Sequence, residues 1–232
     1  MVGSFVLLSC MLAFGVTMFL IEKLKHGSSN VAIYKLLTLI CLVAIAFVAC
    51  LNSKTETKIT MLVAVVFSII GNFLLELQET AEDKEKAFLS FGLSCDSISH
   101  VLYFFAIIMF VQNKIVTGFN WVILSAFVFS MLVSFVFIRF SADLKINYNG
   151  SKFKIWINKT LIMFMAISTI CLSFAIIHSM LLAAAYVVLF VSSILADKQN
   201  FGLLGQDKNY TIMKNVLYFV SQFLIVCFAY FV

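Results

Sequence analysis

Eight apolar runs, most of them long enough to cross a bilayer, divide this chain of 232 residues almost from end to end. They cover roughly 3–21, 31–51, 59–77, 87–112, 119–139, 156–177, 179–196 and 213–232. A spanning helix needs about 20 mostly apolar residues. The runs are continuous, whereas a membrane-barrel strand would alternate with period two over about ten residues. Hydrophobic residues make up 63% of the chain and proline is absent. A soluble domain could not shield that much apolar surface from water. The expected fold is all-α, a multi-pass transmembrane helical bundle of about eight helices, forming one transmembrane domain over 1–232. The narrowest division separates the sixth and seventh runs, where only His178 and Ser179 interrupt the apolar stretch. Roughly 40 residues form two spans more readily than one.

The first run does not have the build of a signal peptide. Met1-Val2-Gly3-Ser4 carries no basic side chain, and no small-x-small cleavage site follows. It is expected to be a retained helix. The six cysteines, Cys10, Cys41, Cys50, Cys95, Cys171 and Cys227, lie in or beside apolar runs without paired spacing. That pattern fits neither a disulfide framework nor a zinc site, and suits small apolar filler. The net charge of +5 comes from residues at run borders. No basic stripe with interleaved aromatics accompanies it, so a nucleic-acid partner is not expected.

Lysine and arginine are unevenly placed. The odd-numbered loops and their edges hold twelve of the 16, the even-numbered ones hold Lys54, Lys58 and Lys114, and Lys35 lies inside the second run. Positively charged loops stay in the cytoplasm, which predicts cytoplasmic odd loops and both termini on the non-cytoplasmic side. Three glycosylation triplets, at Asn149, Asn158 and Asn209, lie in or beside odd loops and argue the other way. Such triplets also arise often by chance. The acidic loop from Glu79 to Lys86 suits a solvated connector that places negative charge at the start of the next helix.

With helices alternating in direction, Lys35, Asn72, Asp96, His100, Ser193 and Gln222 fall in one half of the bilayer, and Tyr103 follows them on the fourth run. If their faces point inward, they form a pocket toward the cytoplasmic leaflet. Asp96, His100 and Tyr103 are spaced i, i+4, i+7 and share one helix face. An ionisable group at such depth costs about 2.5–3.5 kcal/mol and normally has an interior partner. Asp96 and His100 therefore suit ligand binding or proton transfer, or else a self-satisfied pair in which Asp96 accepts a hydrogen bond from His100. They offer two ligands to a metal, and His26 and His178 lie elsewhere, so no metal or other cofactor is expected. Gly71 before Asn72 suits close helix contact. Ser192 and Ser193 suit bonding back to their own helix, and Gln222 suits interhelical hydrogen bonding.

The order of these elements resembles the YhhN-like family of eight-helix membrane proteins, the lysoplasmalogenases. Tyr34-Lys35-Leu36-Leu37-Thr38 is similar to the family's Lys-Pro-Leu-Thr element. The stretch from Phe67-Ser68 through Gly71-Asn72 to Leu75 resembles its Phe-Ser-x-x-Gly-Asp-x-x-Leu element. Gly92-Leu93 through His100 and Tyr103 resembles Gly-Leu…His-x-x-Tyr. Ser192-Ser193-Ile194-Leu195 through Phe201 resembles Ser-Asp-x-Leu…Phe, and Tyr218 through Gln222 resembles Tyr-x-x-x-Gln. The resemblance implies hydrolysis of the vinyl-ether bond of lysoplasmalogens to an aldehyde and a glycerophospho-base. It implies a lysophospholipid or other membrane lipid as partner and substrate contacts from Lys35, Asn72, Tyr103, Ser193, Tyr218 and Gln222.

The chain departs from the pattern where the chemistry is most demanding. The family's two motif aspartates are Asn72 and Ser193 here, and its proline is Leu36. Protonating an enol ether and activating water needs an acid and a base, which neither asparagine nor serine supplies. Glu76 and Asp197 each follow four residues after the altered position, on the same helix face and about 6 Å further along. They are candidates for displaced acids, or ordinary polar helix ends. Asp96 with His100 is the other candidate catalytic set. A lipid-binding relative without catalysis is the alternative function. A small transporter is a third, weakened because neither an internal repeat nor a proline break is present.

Overall fold

In the computed structural model of this protein, all eight apolar runs contain helix, and no strand occurs among the described residues. Those residues are 2–25, 30–52, 55–78, 85–114, 121, 124–125, 128–133, 152–175, 177, 179–200 and 208–231. Seven helices have described bounds. They are α1 (Val2–Leu24), α2 (Val31–Asn52), α3 (Glu56–Gln78), α4 (Glu85–Lys114), α5 (Lys152–Ala175), α6 (Met180–Asn200) and α7 (Lys208–Phe231). The described residues of the fifth apolar run, between 121 and 133, are helical too. His26, residues 79–84, Asn149, His178 and Phe201 lie outside the described residues, as do the side chains of Asn158 and Asp197.

Among the described residues, five stretches have the length and composition to cross a membrane: Val2–Leu24, Val31–Leu51, Glu56–Leu77, Ala87–Phe110 and Lys208–Phe231. Leu161–Ser173 and Met180–Ala196 are shorter apolar stretches in α5 and α6. This is a membrane-embedded helical protein.

The helix starts have local causes. Ser179 caps α6: its carbonyl accepts from the amide of Ala183 at 3.0 Å and its Oγ accepts from the amide of Leu182 at 3.3 Å. Those bonds satisfy amides that a helix start leaves without partners. They turn the long sixth and seventh apolar stretch into two helices, as its length predicted. Thr55 caps α3 in the same way, accepting from the amides of Ile59 at 3.1 Å and Lys58 at 3.4 Å.

Neighbours in sequence pack in sequence, and α7 closes the arrangement by touching α1, α2, α3 and α6. It is the inner helix: 56% of its span is buried, against 17% for α1, whose outer faces are left for lipid. Phe5 stacks on Tyr230 at 4.3 Å and Phe19 meets Phe219 edge-on at 6.1 Å, fastening α1 to α7.

The most extensive contact is between α3 and α4. Its centre is Gly71 against Gly92. A Cβ on Gly71 would lie 2.9 Å from the Gly92 carbonyl oxygen and 3.0 Å from the Asp96 amide nitrogen. A Cβ on Gly92 would meet Leu75 at 2.9 Å and the Gly71 carbonyl at 3.1 Å. Both positions therefore need glycine for close approach, as small residues often do in membrane helices. Replacing Gly71 with Ala should lower the melting temperature of the protein in detergent. Overpacking costs about 1–3 kcal/mol and outweighs the roughly 1 kcal/mol that alanine gains in helix propensity. Gly3 has nothing within 4 Å of an added Cβ, so Gly3→Ala should not lower it.

Candidate functional site

The close approach of α3 and α4 puts Asn72 and Asp96 on the wall of one cavity. Its volume is about 40 Å³, room for about three waters at roughly 10–15 Å³ each. Asn72 and Leu75 come from α3, Leu93 and Asp96 from α4, and Ile162 and Met163 from α5. Leu189, Ser192, Ser193 and Ala196 come from α6, and Lys214 and Tyr218 from α7. The cavity lies toward the end of the bundle where α3 and α6 finish and α4 and α7 begin.

The residues singled out in the sequence divide into three groups. Asn72, Asp96, Ser193 and Tyr218 line the cavity. Asp96 keeps 21% of its side-chain surface accessible there. Asn72 Oδ1 is buried without a hydrogen-bond partner, a costly state for an acceptor in a low-dielectric interior. Ser192 does not bond back to its own helix: its Oγ donates to the Lys214 carbonyl at 2.9 Å and ties α6 to α7.

The second group is a buried ion cluster beside the cavity. Glu76 is 1% exposed and Lys35 is 2% exposed. Lys35 Nζ donates to Glu76 Oε2 at 2.6 Å, and Lys23 Nζ donates to Glu76 Oε1. Both carboxylate oxygens are thus committed, and helices α1, α2 and α3 meet on one side chain. Lys35 also lies 5.5 Å from the ring centroid of Phe19, a favourable placement for a cation. Glu76 is therefore no ordinary polar helix end. Neither it nor Lys35 is on the cavity wall. Lys23 appears in the sequence only as a loop-border charge; nothing local to it signals a partner 53 residues away.

The third group is a chain of hydrogen bonds through α4, α7 and α3. Tyr103 Oη donates to Gln222 Oε1 at 2.5 Å. Gln222 Nε2 donates to Ser68 Oγ at 3.0 Å, and Ser68 Oγ lies 3.1 Å from Tyr218 Oη. Tyr103 and Gln222 thus reach the cavity only through Tyr218. Ser68 drew no notice in the sequence beyond its place in the Phe67-Ser68 element, although it joins the two halves of this chain.

His100 is buried behind Asp96, with its Nε2 at 3.9 Å from Asp96 Oδ1. That is too long for the hydrogen bond expected from their i, i+4 spacing. The Asp96 carboxyl is therefore not tied up by His100 and faces the cavity. It is the one carboxyl on the cavity wall among the described residues.

Comparison with known proteins gives the family. The YhhN family model matches residues 30–228, which takes in α2 through α7. The chain belongs to the YhhN family. No curated protein and no solved structure matches it. Asn72 and Ser193 line one cavity together with Asp96.

The ion cluster generates a stability prediction. Glu76→Gln leaves the buried Lys35 ammonium without its anion, and breaking such a pair typically costs about 3–5 kcal/mol. The variant should melt well below the unmodified protein in detergent. Adding Lys35→Met to Glu76→Gln should recover part of the loss, which thermal unfolding of the three proteins would measure.

Proposed function

We propose that this YhhN family member binds lysolipids at the cavity and hydrolyses the vinyl-ether bond of lysoplasmalogens slowly, with Asp96 as the acid. The observation that carries this reading is the Asp96 carboxyl on the cavity wall beside Asn72 and Ser193. Those two neutral residues stand at the family's aspartate positions, so the acid function falls to a carboxyl from the neighbouring helix. Glu76, bound to Lys23 and Lys35, is not a suitable donor.

The chemistry balances with one carboxyl. The Asp96 carboxylic acid gives its proton to the alkenyl carbon β to the ether oxygen. The π pair forms the new C–H bond and leaves an oxocarbenium ion. Water adds to the carbon bearing oxygen and returns a proton to the Asp96 carboxylate. The resulting hemiacetal loses its hydroxyl proton as the glycerol oxygen gains one, and the C–O bond breaks. The products are a fatty aldehyde and the glycerophospho-base. No cofactor is called for.

The neutrality of Asn72 and Ser193 favours a second reading, lysolipid binding without turnover. Aldehyde release by purified protein separates the two. The first reading expects slow release that Asp96→Asn lowers by roughly 10²–10⁴-fold, with lipid binding intact. Asn72→Asp together with Ser193→Asp should raise release above that of the unmodified chain. Binding without release, before and after these changes, would favour the second reading.

The bias of basic residues supports a cavity toward the cytoplasmic leaflet and both termini on the non-cytoplasmic side. Single cysteines introduced near Lys84 or Lys152 should then react only with reagents supplied from the cytoplasmic side. Labelling from outside intact cells would reverse the orientation.

A further inference from the structure

We infer that Tyr218 presents its hydroxyl hydrogen to the cavity, as a donor for an acceptor oxygen of the bound lipid, because Ser68 behind it has no other acceptor for its own hydrogen. The choice of lipid rests on the lysolipid reading above; the direction of the chain does not.

The direction follows from counting hydrogens. Tyr103 Oη has one hydrogen and gives it to Gln222 Oε1 at 2.5 Å. The Gln222 amide then turns its Nε2 toward Ser68 and donates to Ser68 Oγ at 3.0 Å. Ser68 must place its own hydrogen elsewhere. In a helix its nearest alternative acceptor is the carbonyl four residues back, that of Ala64. That carbonyl already accepts the helical amide of residue 68 and Ser99 Oγ at 2.9 Å. A carbonyl has two lone pairs, and both are taken. The remaining acceptor is Tyr218 Oη at 3.1 Å. Tyr218 therefore receives a hydrogen from Ser68 and keeps its own. Its side chain is 4% exposed, and it lines the cavity. All four members of the chain are buried, at 1% for Tyr103 and Ser68, 0% for Gln222 and 4% for Tyr218. Water does not compete within the chain, and a donor left over at its end must be satisfied from the cavity.

A lysolipid offers what this donor needs. Its ether, hydroxyl and phosphate oxygens all accept, and an apolar tail offers nothing. Tyr218 thus favours a lipid whose oxygen-bearing backbone enters the cavity. Ser68, which is off the cavity wall, acts as a positioning residue.

Two variants separate this device from a merely structural role. Tyr218→Phe removes the donor. Ser68→Ala removes the hydrogen that Tyr218 accepts and leaves Tyr218 donating to the cavity. Were Tyr218 instead donating to Ser68, Ser68→Ala would release that hydrogen to the cavity and strengthen binding. The probe is a 1-O-alkyl lysophosphocholine, which lacks the double bond and cannot be hydrolysed, titrated calorimetrically into detergent-purified protein. Tyr218→Phe should weaken binding by about three- to ten-fold, the scale of one hydrogen bond. Ser68→Ala should bind within about twofold of the unmodified protein. Unchanged binding in Tyr218→Phe, or tighter binding in Ser68→Ala, would overturn the inference.

A second measurement needs no lipid. The ring–oxygen stretch of Tyr218, isolated as the infrared difference between the unmodified protein and Tyr218→Phe, distinguishes an accepting hydroxyl from a donating one. It should move toward a pure donor in Ser68→Ala, which removes the hydrogen that Tyr218 accepts. An unmoved band, or one shifted toward a free hydroxyl, would refute the assigned direction. A moved band with no lipid binding would sustain the direction and sink the lysolipid reading instead.

Discussion

Two glycines decide where the chemistry sits. With no side chain at Gly71 or Gly92, α3 and α4 touch backbone to backbone, and the amide of Asp96 comes close to the position that a Cβ on Gly71 would fill. Asn72 follows Gly71 directly, so the same contact sets Asn72 and Asp96 side by side at the cavity. A larger residue at either glycine would separate the helices and open the wall. Lipid provides little hydrophobic drive between helices, so contact of this kind depends on fit. The tightest contact in the bundle and the wall of its polar cavity are one feature.

The same medium explains the sorting of polar groups. In lipid a buried charge or hydrogen-bonding group that lacks a partner is costly. Glu76 meets that demand with two lysines. Tyr103, Gln222, Ser68 and Tyr218 meet it with each other. Of the groups left incompletely satisfied, Asn72 Oδ1, the Asp96 carboxyl and the free end of the Tyr218 hydroxyl are at the cavity, while Ser168 Oγ, Tyr186 Oη and Asn215 Oδ1 are buried elsewhere among the described residues. A polar network closed on itself rigidifies a bundle. One that ends at a cavity leaves its last member for a ligand.

The helices were legible from the sequence because apolar length alone dictates them in a membrane protein, and length alone called for dividing the long sixth and seventh stretch; that Ser179 caps the second of the two was not legible. The close contact at Gly71 was legible from residue type. Which polar residues share a surface was only partly so. Depth put Lys35, Asn72, His100, Ser193 and Gln222 in one layer, but depth does not fix rotation about the helix axis. Rotation sends Lys35 to Glu76, leaves His100 behind Asp96, and points Gln222 at Ser68. The i, i+4 spacing of Asp96 and His100 was a true statement about one face, yet their atoms stay 3.9 Å apart. Spacing within a helix says nothing about the neighbour that draws a side chain aside. The partnership of Lys23 with Glu76 joins residues 53 apart in the chain, and no local pattern signals it.

The contrast between Glu76 and Asn72 shows how the fold can outlast a change of chemistry. They lie one helical turn apart on α3: Asn72 stands where the resemblance puts a motif aspartate, and Glu76 is the candidate for a displaced acid four residues on. Glu76 holds α1, α2 and α3 together, so its charge is part of the architecture. Asn72 holds nothing by its Oδ1, and a neutral amide there removes a buried charge without leaving a cation unpaired. Ser193 likewise sits at the cavity without charge. Positions that only face the cavity can therefore exchange carboxyl for amide or hydroxyl at little cost in folding, while the positions that pair cannot. Asp96 is the counterpart of those exchanges: a carboxyl carried by the helix that Gly71 and Gly92 press against the same wall. Within such a bundle, the site of an acid can migrate between neighbouring helices while the cavity it serves stays where the glycines put it.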